Sequence, residues 1–420
     1  MTKPRPAPNS ELPLWPHAVQ GSKLVANLEK YVAGLRSDPR HGNQCLFLDD
    51  VFLVYLLAFF NPCLRTLRTL EDFSQTRQAQ KHLSIQRVCR STLSDFNQLV
   101  DPSRLQLILA ALRAELTQRA ADSGRHAPDL NSVLRQVIAV DGTFLRAAAD
   151  VAWAVGTRNQ KSPQKRYRAR LDLQVDVRTW LPEVIAVPDP GESEAEQAAT
   201  TIQPGKFYLY DRGYISHDLI LAHYHQQGET WQSKADFVLR LKQATAKNTI
   251  QFEVVSTREL TPEAQAAGIL SDRIVRSPRL AAQFGFVGEF REIILLGSDG
   301  KELRLLTNCP DLGAEVIALL YRYRWQIELF FRWLKTYANF NHLISHSAGG
   351  VLLNFYVTLI GVMLMYLSTG YRPSKYMVAL MSVVAQGATL EEILPILQER
   401  ERQCERDRQS AARRRAKKQG

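Results

Sequence analysis

The chain has 420 residues, 45% of them hydrophobic and 23% charged, with a formal net charge of +11 and a sequence pI near 9.4. That composition is globular, and the length allows two or three domains. The five cysteines are scattered and odd in number, which excludes a disulfide framework or a cysteine metal motif and fits a reducing cytoplasm. The basic excess suits a polyanionic partner, either nucleic acid or an anionic membrane surface.

The opening MTKPRPAPNSELPLWP is Pro-rich and lacks an apolar h-region, so no signal peptide is expected. From about residue 22 to 120 the pattern is helical: LVANLEKYVAGL and LQLILAALRAEL place apolar residues at intervals of three and four. Between them, LRTLEDFSQTRQAQKHLSIQRVCRSTLSDFNQLV reads as two helices joined near Leu83 and Ser84, with Ser91 capping the second. Arg77, Lys81, Arg87 and Arg90 surround the join. Two readings stay open there: a helix-turn-helix that reads DNA, and a helical hairpin with a solvated basic face.

VFLVYLLAFF (51–60) is too short to span a bilayer. VLLNFYVTLIGVMLMYL (351–367) is nearly long enough, but it holds Asn354, Thr358 and Gly361 and lacks flanking anchors. The expectation is a buried core helix and no membrane association.

The texture changes at Val133. QVIAVDGTFLRA is a strand interrupted by Asp141 and Gly142. RYRARLDLQVDV alternates, with Leu171, Leu173, Val175 and Val177 on one face and Arg170, Asp172, Gln174 and Asp176 facing outward. LPEVIAVPD completes a three-stranded antiparallel meander. A helix in SEAEQAATTI, a strand in KFYLYDRGY running into Asp211, a helix in HDLILAHYHQQ and a strand in DFVLRLK follow. Residues from about 244 to 302 break into short β-like pieces, TIQFEVVS and REIILLG, and read as a β-rich insertion. ELRLLTN returns to the core, and Asp311 is expected to cap a long helix.

Three strands, helix, strand, helix, strand, insertion, helix is a ribonuclease-H-like α/β order. The expected organisation is a helical N-terminal domain at 1–130, an α/β domain at 131–370, and a C-terminal helical segment with a basic tail at 371–420. The tail ends in RRRAKKQG and is open to two readings, non-specific phosphate contact or a solvated arm.

The long helix contains YRYRWQIELFFRWLK, residues 321–335. At about 100° per residue, Tyr321, Arg324, Glu328 and Lys335 fall within roughly a 60° arc, with the apolar Ile327, Phe330, Phe331 and Leu334 beside it. A carboxylate among cations is at its simplest a salt-bridged group, and an aspartate at a strand end is at its simplest a turn or cap residue. The expected topology, however, brings the strand ends at Asp141 and Asp211 together beside Glu328. Three converging carboxylates repel and call for a hard cation, Mg²⁺ or Mn²⁺. Two such ions, about 3.5–4 Å apart, activate a hydroxyl and stabilise the leaving oxygen of a phosphoryl transfer. Arg324 and Lys335 then bind phosphate, and Tyr321 donates to phosphate or packs on a sugar or base.

Tyr321, two residues, Arg324, three residues, Glu328, six residues, Lys335 resembles the Tyr-Arg-Glu-Lys signature of DDE transposases of insertion sequence family 4. IAVDGT around Asp141 and YLYDRGY around Asp211 are similar to that family's two aspartate motifs, and the likeness spans about Val133 to Leu367. The resemblance implies a ribonuclease-H-like catalytic domain that cleaves double-stranded DNA at inverted-repeat ends and joins those ends to a target. It implies Asp141, Asp211 and Glu328 as metal ligands and Tyr321, Arg324 and Lys335 as contacts to the transposon end. A homodimer on DNA, and a bacterial cytoplasm with association to the nucleoid, are the accompanying expectations. A non-catalytic DNA-binding regulator and a stand-alone metal-dependent nuclease are the alternatives.

Other residues carry less. His223 and His225 read as a solvent-exposed pair on a helix rather than metal ligands. Trp325 and Trp333 flank the stripe as packing groups or as stacking platforms for an extruded base. No phosphate-cradling P-loop is present, so ATP is not expected.

Overall fold

The computed structural model describes residues 35, 46–60, 64, 66–80, 87–99, 101–121, 137–146, 155–158, 165–179, 181–188, 191–228, 230–242, 251–297, 300–336, 344–345, 347–369 and parts of 391–410. They divide into two compact units, 120–332 and the two flanking segments together. The helix expected at LVANLEKYVAGL, the join at Leu83 and Ser84, and the terminal basic cluster lie outside the described residues.

The flanking unit is helical. It starts with α1 (Leu48–Phe60), α2 (Leu67–Ser74), α3 (Arg90–Leu99) and α4 (Gln106–Ala121). Ser91 lies inside α3 and does not cap it. α1 is apolar nearly all round, the mark of a buried helix, and its Tyr55 hydroxyl is 3.0 Å from the buried Asn97 Oδ1 on α3. Ahead of α3, Arg87 is ion-paired to Glu71 of α2, so one cation of the expected basic face has an internal partner.

The middle unit is built on a ten-stranded mixed sheet. β1 (Val137–Arg146), β2 (Val155–Arg158), β3 (Lys165–Asp176) and β4 (Leu181–Ala186) come first. β1 pairs antiparallel with β3, and β3 carries β2 and β4 along its other edge. α5 (Glu194–Ala199) follows, opened by a capping box in which Ser193 and Glu196 satisfy each other's backbone amides. β5 (Phe207–Tyr210) then lies parallel to β1.

After β5 come a single 3₁₀ turn, Arg212–Tyr214, and the short α6 (His217–Leu221). The expected longer helix stops there. HYHQQ instead enters a hairpin of β6 (Tyr224–Gln227) and β7 (Thr230–Ser233). β8 (Asp236–Arg240) returns parallel to β5.

β9 (Glu253–Arg258), α7 (Pro262–Ala266), β10 (Ile269–Arg276), α8 (Pro278–Phe284), β11 (Phe290–Leu296) and β12 (Glu302–Thr307) make up the β-rich segment and its return. β12 pairs antiparallel with β8, and β11, β10 and β9 follow in turn. The segment therefore extends the main sheet rather than standing beside it. It covers the row of backbone donors and acceptors that β8 would otherwise present as an open edge.

Even-numbered residues of the central strands, Ile138, Val140, Tyr208 and Tyr210, with Phe237 and Leu239 of β8, point to one core under α5 and α6, filled by Ala195, Ala198, Tyr214, Leu219 and Ile220. His223 is part of this packing, 1% exposed, and not a surface histidine as its sequence suggested. Its Nδ1–H donates to Leu219 O at 2.9 Å, its Nε2 lies 3.3 Å from the Tyr210 hydroxyl, and burial pushes its pKa down to about 3. Asp172 and Asp176 are also buried, against the outward alternation expected for β3. β3 is an interior strand, and each carboxylate has local donors: Arg170 for Asp172, the Arg178 and Thr179 amides for Asp176.

The YRYRWQIELFFRWLK stretch forms two helices, α9 (Ala314–Tyr323) and α10 (Trp325–Thr336). Arg324 joins them while keeping helical φ and ψ, and the chain tightens through Arg324 N to Tyr321 O and Ile327 N to Arg324 O bonds. α9 is capped by Gly313, not by Asp311. The final long helix, α11 (Ala348–Thr369), belongs to the helical unit and contacts α1 and α3. Its Gly349–Leu367 stretch has mean hydropathy 2.0 and 78% of that window is buried, so it meets the length and apolarity of a membrane span while packed inside protein.

Candidate active site

Strand register sets the position of two of the expected acids. Ala139 on β1 is paired with Leu209 on parallel β5, and two residues further along each strand come Asp141 and Asp211. Adjacent strands lie about 4.8 Å apart, so the two backbones arrive side by side at the same end of the sheet. Asp211 occupies the N-cap position of the Arg212–Tyr214 turn, yet its side chain makes no cap hydrogen bond. Its Oδ1 instead faces the Tyr321 hydroxyl at 3.4 Å and Arg240 Nη1 at 3.6 Å.

The α9–α10 joint supplies the third acid. Arg324 places Nη1 3.7 Å from Asp141 Oδ2 and hydrogen-bonds through Nη2 to Glu328 Oε1. Its guanidinium carbon also lies 5.9 Å from the centre of the Tyr321 ring. Asp141, Asp211, Glu328, Tyr321 and Arg324 are thus joined by direct contacts, as their sequence spacing predicted. Lys335 sits in the last turn of α10, about two turns beyond Glu328. Of the flanking tryptophans, Trp333 is buried and Trp325 is 48% exposed.

Electrostatically the site is acid-rich and desolvated. Burial is the main reason the Asp141 carboxyl is pushed up to about 7; Arg324 and the Gly142 amide oppose the shift, and the charges of Glu194 and Glu328 reinforce it. Asp172 is pushed up to about 6, again by burial first, with Arg170 opposing. Burial likewise raises the Tyr321 phenol to about 12, which keeps it a hydrogen-bond donor. Among the described residues no three His, Cys, Asp or Glu side chains stand as a ready-made metal cluster, and Arg324 lies between Asp141 and Glu328.

Residues 133–364, more than half of the chain, match the family described as the transposase DDE domain. The chain belongs to that family. Three curated relatives agree. A putative transposase of Sinorhizobium fredii is 28% identical over 204 residues, 47% of this chain and 52% of that protein. A probable transposase for insertion sequence element IS5377 of Geobacillus stearothermophilus is 33% identical over 75 residues, 18% of this chain and 20% of that protein. A putative transposase for insertion sequence element IS4SA of Synechocystis is 30% identical over 82 residues, 18% of this chain and 24% of that protein. The chain thus spans about half the length of the first relative and a quarter or less of the others. The solved piggyBac transposase synaptic complex with hairpin DNA matches with a TM-score of 0.41 at 11% identity, covering 90% of this chain and 82% of that one, too loose a likeness to carry an argument.

Two charged groups of this transposase DDE domain have no distinguishing mark in the sequence. Arg240 ends β8 and reaches Asp211. Glu194, in the first turn of α5, raises the Asp141 pKa and feels the charge of Asp211. Nothing in LRLK or SEAEQ separates either residue from an ordinary strand-end cation or helix-start acid.

Proposed function

We propose that this chain is a bacterial insertion-sequence transposase of the family-4 type. It binds the inverted-repeat ends of its element, cleaves double-stranded DNA there, and transfers the strands to target DNA. The observation that carries this reading is the meeting of Asp141, Asp211 and Glu328, from β1, the end of β5 and α10, around Tyr321 and Arg324. The strand order β4-β3-β1-β5-β8, antiparallel through β1 and parallel beyond it, supports a ribonuclease-H-like catalytic domain.

The donor chemistry of the site suits a hard divalent cation. Its acids offer only oxygen, and a buried carboxylate cluster is costly until a cation neutralises it. Asp141, Asp211 and Glu328 would hold two Mg²⁺ or Mn²⁺ ions, which supply Lewis acidity toward the scissile phosphate and the attacking oxygen. The chain's own groups do the rest. Arg324 now balances Asp141 and Glu328, and its fork is suited to a DNA phosphate once cations take over that role. Tyr321 releases Asp211 and donates to the transposon end, and Lys335 adds a point charge along the same helix face.

The helical residues 1–130 serve as the DNA-binding region and the basic 371–420 segment adds phosphate contacts, with 131–370 as the catalytic domain. Two copies act together, because paired ends require paired sites, and the protein works in the cytoplasm at the nucleoid. The experiment is cleavage of inverted-repeat DNA in Mg²⁺ by the parent and by Glu328→Gln. Loss of cleavage with retained end binding is expected. Equal cutting by the variant would overturn the assignment, and cutting without strand transfer would identify a nuclease instead.

A further inference from the structure

Gly142, next to Asp141, has no side chain, and the space where one would stand is taken by two acids. A Cβ built there would meet Asp172 Oδ1 at 2.7 Å and Glu194 Oε1 at 2.8 Å. The two acids differ in how they are held. Asp172 has both oxygens on Arg170 Nε, at 3.0 and 3.1 Å, and Arg170 Nη1 is tied to Glu192 O at 2.5 Å. Glu194 is fixed only through its backbone, by the Ser193–Glu196 capping box that starts α5. Asp141 and Glu328 have Arg324, and Asp211 has Arg240, but among the described residues Glu194 has no hydrogen bond or ion pair from its carboxylate. A half-buried carboxylate facing other carboxylates without a counter-charge is unfavourable by itself.

A second, independent feature lies in the same place. Tyr214 is 1% exposed, and its hydroxyl has no hydrogen-bond partner in the structure. It lines a small cavity together with Asp172, Glu194, Gln174 and Thr201, and its phenol feels Glu194 most strongly, ahead of Asp141 and Asp172. A buried hydroxyl left unsatisfied costs about 1–3 kcal/mol, and the void beside it is polar, as a site for a hydrated ion or water must be.

We infer that Glu194 is a fourth carboxylate of the divalent-cation site, presented across the bare backbone of Gly142, with Tyr214 holding the hydration shell behind it. This rests on the reading of Asp141, Asp211 and Glu328 as cation ligands and adds a ligand from α5, on the far side of Gly142 from Arg324. Gly142 is then required because any larger residue would push the Glu194 carboxylate away from Asp141.

The test is Mn²⁺ binding to the DNA-free, full-length chain, read by the electron paramagnetic resonance signal of free Mn²⁺. Parent, Glu194→Gln, Asp141→Asn and the control Glu196→Gln are compared, with melting temperatures taken without metal. Glu194→Gln is expected to weaken Mn²⁺ binding at least tenfold while melting no lower than the parent without metal, since it removes an uncompensated charge. Glu196→Gln is expected to bind as the parent does. Parent-like Mn²⁺ affinity in Glu194→Gln, with binding abolished in Asp141→Asn, overturns the inference and leaves the proposed function intact. Parent-like affinity in Asp141→Asn overturns both. Should Glu194→Gln fail to fold, Glu194→Asp retains the charge but withdraws it by one methylene; weakened binding supports the role, and unchanged binding counts against it.

Discussion

Arg324 at the α9–α10 joint lies 3.7 Å from Asp141 on β1, and its second terminal nitrogen holds Glu328 one helical turn further on. The guanidinium therefore occupies the charge-balancing position that divalent cations would take. With Arg324→Ala, Mn²⁺ should bind the DNA-free protein more tightly, by threefold or more, because no side chain competes for the two carboxylates. The same variant should bind transposon ends more weakly, with the slope of log affinity against log salt reduced by about 0.9 for each DNA phosphate that Arg324 no longer neutralises. Calorimetric Mn²⁺ titration and salt-dependent DNA binding measure the two effects. Unchanged or weaker Mn²⁺ affinity would show that the guanidinium does not stand in for a cation.

His223 makes acid stability a sharp test of the core. Its pKa falls to about 3 in the folded chain against an ordinary value of 6.5, because burial among Tyr208, Tyr210 and Phe237 disfavours the cation, opposed by the Leu219 carbonyl and aided by the charge of Lys234. Between those values the unfolded chain binds the extra proton. This contribution to stability is complete above pH 6.5 and is lost as pH falls toward 3, by up to about 1.4 kcal/mol per pH unit. His223→Gln should be less stable than the parent at about pH 7.5 through poorer packing, yet lose less on acidification from about pH 6.5 to about 4.5. Urea denaturation at several pH values gives both slopes, and parallel curves would exclude His223 as the group responsible.

The elements that were legible in the sequence are those whose local pattern agrees with their place in the fold. β1, β3 and β4 show strand-type residues between turn signals, and α5 opens on S-E-A-E, the pattern of its observed capping box. The acids Asp141 and Asp211 stood out as charges in apolar strands, and Tyr321, Arg324 and Glu328 as one face of a helix. What failed depends on the third dimension. Asp172 and Asp176 alternate like surface residues, but β3 has neighbours on both edges and both carboxylates are buried. HYHQQ continues a helical pattern until the β6–β7 hairpin draws Tyr224 against Phe286 and Phe290. β10, with Asp272 and Arg273 inside it, lacks an apolar run because its acid is neutralised from the next strand.

That neutralisation has its own consequence. Arg291 on β11 is 3% exposed, pairs with buried Asp272 through Nη2 at 2.6 Å, and donates Nη1 to the carbonyls of Cys309, Pro310 and Leu312 at 3.2, 3.2 and 2.6 Å. Arg258 of β9 donates to Pro310 O as well. The β-rich segment thus holds the turn immediately before α9, the helix that carries Tyr321 toward Asp211. Arg291→Met should cost roughly 3–5 kcal/mol, as expected when one partner of a buried ion pair is removed. Adding Asp272→Leu should restore part of the loss. Urea midpoints measure both; a single-variant loss under about 1 kcal/mol would mean the turn is held by other groups.

In the helical unit, Gly361 of α11 marks the closest approach to α1. A Cβ at this position would lie 2.4 Å from Phe59 Cδ1 and 2.5 Å from Cε1. In an exposed helix, Gly→Ala stabilises by about 1 kcal/mol. Here the ring or one helix must shift, and overpacking at a buried position costs typically about 1–3 kcal/mol. Gly361→Ala is therefore expected to lower the melting temperature, and Gly361→Ala with Phe59→Leu to recover most of the loss by vacating the space the methyl needs. A melting temperature raised by the single substitution would mean that α1 and α11 do not approach so closely in solution.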